Sequence, residues 1–439
     1  MTSFLADDLV PRVAADERTK VSSAIAIPGA VMAGNEANAD LDSALSRALG
    51  KPTRVESFEI VPRADQRRGI MSDHYSLVVS YECSSSGETK SLGFFAKEPP
   101  ARDDRLRACL VDDSVSRAET YFFRSVYPLL LEERGAAVKW SPTCYYASPS
   151  KLVFEDVREQ GYAVRADTMY DLASMRAALE ALAAFHASSL RLETRLATRL
   201  DRRRYGTDND RAFLREKVFT REGKAGRANE LGFETLRLLA EARFGLEDGS
   251  LVAKIHEYVR DRVKPSPGLG RNVICHGDLW RGNIMFKDDD QRPPKCLLVD
   301  FQMLRYGPPS LDLAMLLHVH SPRSFREAHE AHLLRHYYDK LSEYFRDGGS
   351  GGGSELGFGY DELARDYESR RIVGMAHAAM RWPARVTSRL DDAEALRDWY
   401  FGARIDGYLE QIDNDPAFER LMRSCVEELI EHGRKLLYA

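Results

Sequence analysis

The sequence predicts an α+β fold of two lobes, a small β-rich N-terminal lobe and a large, mainly helical C-terminal one. Three observations carry that expectation. Between residues 55 and 154, strand-like and helical segments follow one another in the order β-β-β-α-β-β. Beyond residue 158 the patterning is mainly helical. The length, 439 residues, is large for one core and suits two lobes with decorations.

Residues 1 to about 38 show no convincing periodicity and read as an irregular extension within an N-terminal segment, 1–50. Asp40 to Leu49 reads as a short helix, stopped by Gly50 and Pro52. The first lobe, 51–157, opens with strands at Val55–Val61, Tyr75–Cys83 and Leu92–Lys97, the last two separated by the turn Ser84-Ser85-Ser86-Gly87. A long helix follows from near Asp113 to Gly135. Strands at Thr143–Ala147 and Leu152–Phe154, joined by Ser148-Pro149-Ser150, complete a five-stranded sheet.

In the second lobe, 158–439, Leu172, Met175, Leu179 and Leu182 share a helix face that His186 continues, as a satisfied core residue or a site residue. Residues 190 to 270 form a helical insertion rich in arginine (Arg202, Arg203, Arg204, Arg211, Arg215, Arg221, Arg227). Interleaved acids leave two readings, a solvated surface or capture of phosphate or substrate. Asp347 to Gly359 contains Gly-Gly-Ser-Gly-Gly-Gly-Ser, which buries no apolar surface and reads as a flexible loop inside the lobe.

Composition narrows the class. Hydrophobic residues make up 44% and charged residues 30%, an ordinary globular balance. A net charge of −5 offers no bulk attraction to nucleic acid or an anionic membrane, so any phosphate site must be locally basic. Runs such as Leu311 to Leu317 fall far short of a membrane span. The first thirty residues carry Asp7, Asp8, Arg12, Asp16, Glu17 and Arg18 and lack a secretory apolar core. Six scattered cysteines without C-x-x-C spacing fit reduced thiols, and the cytoplasm is the expected address.

The most informative stretch runs from His276 to Gln302. It reads HGDLWRGNIMF, a charged gap, then CLLVDFQ. Phosphoryl transfer from ATP needs a carboxylate at the attacking hydroxyl and oxygen ligands for magnesium. Asp278 suits the first task; Asn283, five residues on, and Asp300, beyond two apolar strand-like pieces, suit the second. The Asp-to-Asn spacing equals that of the protein-kinase loop H-R-D-x-x-x-x-N, and Asp300 takes the place of the aspartate of D-F-G. Gly277 replaces the arginine of that loop, which in protein kinases reads a phosphorylated segment, and this suggests a small-molecule acceptor.

Lys97 ends an apolar strand, where it can reach α- and β-phosphates. In the helix that follows, Val115, Phe122, Val126 and Leu129 share a face, and Glu119 lies within it. A carboxylate in an apolar face is costly unless paired, and Lys97 is the available partner, as in the lysine–glutamate pair of kinases.

The run His-Gly-Asp-Leu-Trp-x-x-Asn-Ile-Met-Phe and then Leu-Val-Asp-Phe-Gln, with Arg305-Tyr306-Gly307-Pro308-Pro309 and Leu311-Asp312-Leu313 after it, resembles the ecdysteroid-kinase-like (CHK kinase-like) family over roughly residues 55 to 435. These are relatives of choline kinases and aminoglycoside phosphotransferases on the protein-kinase-like fold. The resemblance implies ATP and magnesium as cofactors and a small-molecule alcohol as acceptor, an ecdysteroid or another apolar alcohol. A detoxification or amino-alcohol kinase is the rival enzyme reading. A silent pseudokinase that binds a steroid or a protein partner is the rival from another class.

The same resemblance makes Leu152–Val157 the hinge, with the Glu155 carbonyl and Val157 N–H toward adenine. It places the phosphate-covering loop at Arg68–Tyr75, where Ser72 and His74 replace the family's Gly and Asn around Asp73. His276 then braces the catalytic loop, and Gln302, in place of the glycine of D-F-G, adds a polar contact near the metals. Ser310 is a plausible N-cap. Asp312 is either a first-turn acid that gains from the helix dipole or, by the resemblance, a buried strut of the catalytic-loop backbone. His318 and His320 form an H-x-H without further ligands at metal-site spacing. The clusters Arg381-Trp382-Pro383 and Asp398-Trp399-Tyr400-Phe401 either line an apolar acceptor pocket or pack as core.

Overall fold

Alternating apolar residues in the first lobe fold into an antiparallel sheet of five strands in the order β1-β2-β3-β5-β4. The computed structural model describes residues 35–61, 72–83, 87–99, 115–134, 138–167, 169–196, 213–221, 223–246, 249–264, 271–290, 292–347, 355–381 and 404–438. The strands are β1 (Ser57–Val61), β2 (Asp73–Glu82), β3 (Thr89–Glu98), β4 (Cys144–Ala147) and β5 (Leu152–Glu155). Helix α1 begins at Asn35, five residues before the predicted start, runs to Leu49 and buries Leu41, Ala44 and Leu45 against the sheet. Strand β2 starts two residues early because Asp73 and His74 pair with Glu98 and Lys97, so they belong to the ladder and not to a covering turn. Residues 68–71 of that expected turn lie outside the described residues, as do Arg202, Arg203, Arg204 and Arg211, most of the Gly/Ser loop, and the clusters at 382–383 and 398–401.

The long helix, α2, comes in three pieces: Val115–Tyr121, a π-type turn at Phe122–Val126, and Tyr127–Glu133. The wider turn advances the buried face by one residue. Phe122, Phe123, Val126, Tyr127 and Leu130 are buried, and Leu129, expected on that face, is only half-buried. Phe122 and Phe123 meet Phe301 of the second lobe at ring distances of 5.2 and 5.7 Å, and Trp140 and Phe185 close the same cluster.

The second lobe is mainly helical, with short strands that carry its loops. Helix α3 (Leu172–Leu196) is followed by α4 (Gly223–Leu238) and α5 (Ser250–Arg262), and surface arginines pair with acids here, Arg237 with Glu234 at 2.6 Å and Arg221, just before α4, with Glu257 at 3.0 Å. Strands β7 (Val273–Cys275) and β10 (Arg305–Gly307) form one small antiparallel sheet, and β6 (Ala163–Val164), β8 (Ile284–Asp289) and β9 (Arg292–Leu298) form another. Helices α6 (Ser310–His320), α7 (Arg323–Arg346), α8 (Tyr360–Arg381), α9 (Arg404–Asn414) and α10 (Pro416–Tyr438) complete it. Among the described residues no helix is long and apolar enough to cross a membrane.

Every residue of α6 is buried, as its all-round apolar sequence requires. Its polar groups therefore need internal partners. His318 Nδ1 donates to the Ala314 carbonyl, and His320 Nε2 donates to the Leu279 carbonyl at 3.1 Å. Ser310 is not the N-cap: the helix is preceded by Pro309 without a side-chain cap, and the Ser310 hydroxyl bonds Asp366 instead. Helix α8 crosses α6 closely at Gly374, where an added Cβ would lie 2.2 Å from the Ala314 carbonyl oxygen. Overpacking at a helix crossing costs about 1–3 kcal/mol. Gly374→Ala is expected to lower the denaturant midpoint accordingly, and an unchanged midpoint would mean that the two helices separate freely.

Candidate active site

The lobes meet at an open cleft lined by side chains of both. Phe95, Phe154, Val164 and Met285 give it apolar walls suited to a flat ring, and Lys97, Glu119, Asn283 and Asp300 bring polar groups together at it.

Strand β3 delivers Lys97 and α2 delivers Glu119. The Lys97 ammonium donates to Glu119 Oε2 at 2.6 Å and to Asp300 Oδ1 at 2.9 Å. Burial opposes the lysine's charge, but Asp300 and Glu119 overcome it and push the Lys97 pKa up. Burial pushes Glu119 up, against the pull of Lys97, whereas at Asp300 burial is opposed by the charge and hydrogen bond of Lys97 and by the nearby His74 and His276, which together hold the carboxyl down. Asp300 thus stays ionised against the lysine. It is also the non-glycine residue with positive φ among those described, at +66°. That left-handed geometry is uncommon and marks functional turns. The turn is fixed by Phe301, which is 1% exposed inside the aromatic cluster.

The loop expected to carry the catalytic residues follows β7. Asn283 Nδ2 donates both to the Asp278 carbonyl at 2.9 Å and to Asp278 Oδ2 at 3.0 Å, which leaves its Oδ1 unengaged. Asp278 is 6% exposed. Asp312 is a strut: its carboxylate accepts from His276 N at 2.6 Å and Gly277 N at 3.0 Å. His186 Nε2 donates to Asp312 at 3.2 Å, and the Tyr337 hydroxyl donates to His186 Nδ1 at 2.7 Å. His276 is neutral, its pKa lowered by burial; Nε2 donates to the Val299 carbonyl and Nδ1 accepts from Asp278 N. Gly277 has φ +76°, and the Met303 carbonyl oxygen lies 2.2 Å from where its Cβ would be, so no arginine fits here.

Not every expected residue reaches the cleft. His74 does, beside Lys97, with Nε2 2.7 Å from Ser72 Oγ; burial and then Lys97 lower its pKa to about 4, so its imidazole is neutral at pH 7. Asp73 does not line the cleft, because strand alternation turns it to the opposite face from His74. Gln302 is half-buried in the turn after Asp300 and also lies off the cleft wall. Glu155 and Val157 line the cleft. The Glu155 carboxylate is committed to Lys139, Gln160 and Thr143 N; burial opposes its charge, but these bonds take its pKa down to about 2. Lys139, the Tyr337–His186 contact and the apolar walls left no local signal in the sequence, since each meets its partner across a long chain separation.

A β-sheet lobe and a helical lobe around a lysine–glutamate–aspartate junction define the class, a kinase-like phosphotransferase. The model of the ecdysteroid kinase-like family matches residues 67–349, more than half of the chain, and the chain belongs to that family. It is similar to a 4-hydroxytryptamine kinase of Psilocybe cyanescens, 31% identical over 78 residues, which spans 17% of this chain and about a fifth (20%) of that protein's length. A kinase-like protein of Caenorhabditis elegans, itself uncharacterized, is 22% identical over 74% of this chain and 83% of its own. Solved structures superpose loosely. A gentamicin complex of an aminoglycoside phosphotransferase gives a TM-score of 0.34 at 12% identity, covering 91% of this chain and 97% of that one. A microcompartment-associated aminopropanol kinase gives 0.37 at 12% identity, covering 83% and 94%.

The three-charge junction predicts an asymmetric double-mutant cycle. Breaking a buried pair from one side costs on the order of 3–5 kcal/mol, less where water enters the cleft. Lys97→Met strands two carboxylates, whereas Glu119→Leu leaves the lysine its Asp300 bond, so Lys97→Met should destabilise more. The double mutant should be no less stable than Lys97→Met, with a coupling of about 1–3 kcal/mol from denaturant unfolding. Additive effects would show that the two side chains do not share the site.

Proposed function

We propose that this chain is an ATP- and magnesium-dependent kinase that transfers the γ-phosphate to a hydroxyl of a small molecule, an ecdysteroid or another apolar alcohol. The observation that supports the reading is the meeting of Lys97, Glu119 and Asp300 on an apolar-walled cleft that Asn283 also lines, with Asp278 bonded to Asn283. Residues 51–157 act as the nucleotide clamp. The ring of the base lies between Phe95 and Met285, with the Glu155 carbonyl and Val157 N–H along its edge, and Lys97 reaches the α- and β-phosphates. His74 stands at the cleft beside Lys97, and Ser72, which does not line it, bonds the His74 ring.

Residues 158–439 supply the chemistry. Asp278 orients the acceptor hydroxyl and takes its proton as the new O–P bond forms and the bond from the γ-phosphorus to the ADP oxygen breaks, its carboxylate held in place by Asn283. Asn283 Oδ1 and the Asp300 carboxylate are hard oxygen donors of the kind magnesium takes, and they fit it. Bound there, the metal neutralises charge on the phosphates. The match to a 4-hydroxytryptamine kinase favours a second acceptor class, hydroxylated aromatic amines.

A panel of steroid alcohols, amino alcohols and hydroxylated aromatic amines, read by acceptor-stimulated ADP release, tests the proposal. With a productive acceptor, Asp278→Asn should retain nucleotide binding and lose about 10²–10⁴ in turnover. Asp300→Ala should in addition abolish the magnesium dependence of nucleotide affinity. Near wild-type turnover in Asp278→Asn, or intact magnesium coupling in Asp300→Ala, would contradict these roles.

A further inference from the structure

One short segment of the second lobe, 213–219, touches three of the elements that must stay in register at the site. The ring of Phe213 lies 4.9 Å from that of Tyr121, two residues beyond Glu119 in α2. The Lys217 ammonium donates to the Leu304 carbonyl at 2.8 Å, four residues after Asp300, and to the Phe213 and Arg215 carbonyls at 2.7 and 3.3 Å. Glu216 Oε2 accepts from Arg305 Nη1 at 2.7 Å, and its Oε1 accepts from Val218 N and Phe219 N. Phe219 packs edge-on against His377 of α8, with ring centroids 4.9 Å apart.

These contacts are not those of a solvated surface. A lysine that gives its donors to three carbonyls acts as a tie, and charge-assisted bonds of this kind are about twice as strong as neutral ones. Arg305 is 3% exposed, and its charge has Glu216 as ion-pair partner. The consecutive residues Glu216 and Lys217 therefore grip the consecutive residues Leu304 and Arg305. In protein kinases, phosphorylation orders the segment after the metal-binding aspartate. Here the loop position that reads such a phosphate is Gly277, and the Met303 carbonyl closes it to any side chain.

We propose that the strap 213–219 does this work without modification: Glu216 and Lys217 are positioning residues that hold 300–305, and with it Asp300, against the helix of Glu119. The consequence for catalysis rests on the kinase reading; the fastening itself does not.

The test uses the full chain and a readout independent of turnover. Hydrogen–deuterium exchange over 300–307 is compared in wild type, Lys217→Met and Glu216→Gln, alongside magnesium-dependent ATP affinity. Glu216→Gln retains the acceptor for Val218 and Phe219 N–H but weakens the grip on Arg305, so it carries the test if Lys217→Met does not fold. The expected result is exchange about tenfold or more faster, confined to 300–307, with a several-fold loss of magnesium-dependent ATP affinity. Unchanged exchange there, or acceleration spread evenly over the whole chain, overturns the proposal. Faster local exchange in a protein whose wild type binds no ATP would leave the strap standing and remove the kinase reading.

Discussion

One ammonium group shared by two carboxylates is the constraint around which this chain is built. Lys97 holds Glu119 on one side and Asp300 on the other, and all three are largely removed from water. Charges taken out of water are tolerated only with good partners. Here one cation serves two anions, so the junction carries a surplus of negative charge. Asp300 keeps its charge, while burial first and the neighbouring Asp300 after it push the Glu119 pKa up against the pull of Lys97.

The rest of the structure fixes the positions of those charges. Glu119 is carried by a helix whose π-type turn brings both Phe122 and Phe123 onto Phe301, and Phe301 follows Asp300 directly. The aromatic cluster thus ties the two carboxylates together through their neighbours in the chain. On the other side, the buried helix α6 fixes the loop of Asp278 at two points, through Asp312 beneath His276 and Gly277 and through His320 beneath Leu279. Polar atoms placed in so apolar a helix need partners, and Asp312 and His320 find theirs in the loop that carries Asp278.

Much of this was legible in the sequence because the signals were local. The spacing of Asp278, Asn283 and Asp300 is a short-range pattern, and the lodging of Glu119 in an apolar face follows from helix periodicity. The contact of that residue with Lys97 required only the question of which cation was near. The failures have physical causes as well. A π-type turn has no simple sequence mark, so helix periodicity predicts Leu129 on the buried face that Leu130 takes. The side on which Asp73 points depends on where a ladder begins, and a ladder that extends by two residues makes it a strand residue on the face away from the cleft. Ser310 looked like a cap because its chemistry suits one, but a distant aspartate captured its hydroxyl. The strap from Phe213 to Phe219 could not be read at all, since its meaning lies in partners on Tyr121, Leu304 and His377, each far away in the chain.

The most direct test of the shared-lysine account is the structure of the protein with magnesium and a non-hydrolysable ATP analogue. The account predicts that Lys97 keeps its bond to Glu119 and turns its remaining donors to the α- and β-phosphates, while the Asp300 carboxylate leaves the lysine for the metal. Asp300 still bonded to Lys97, with the metal held by other residues, would contradict it.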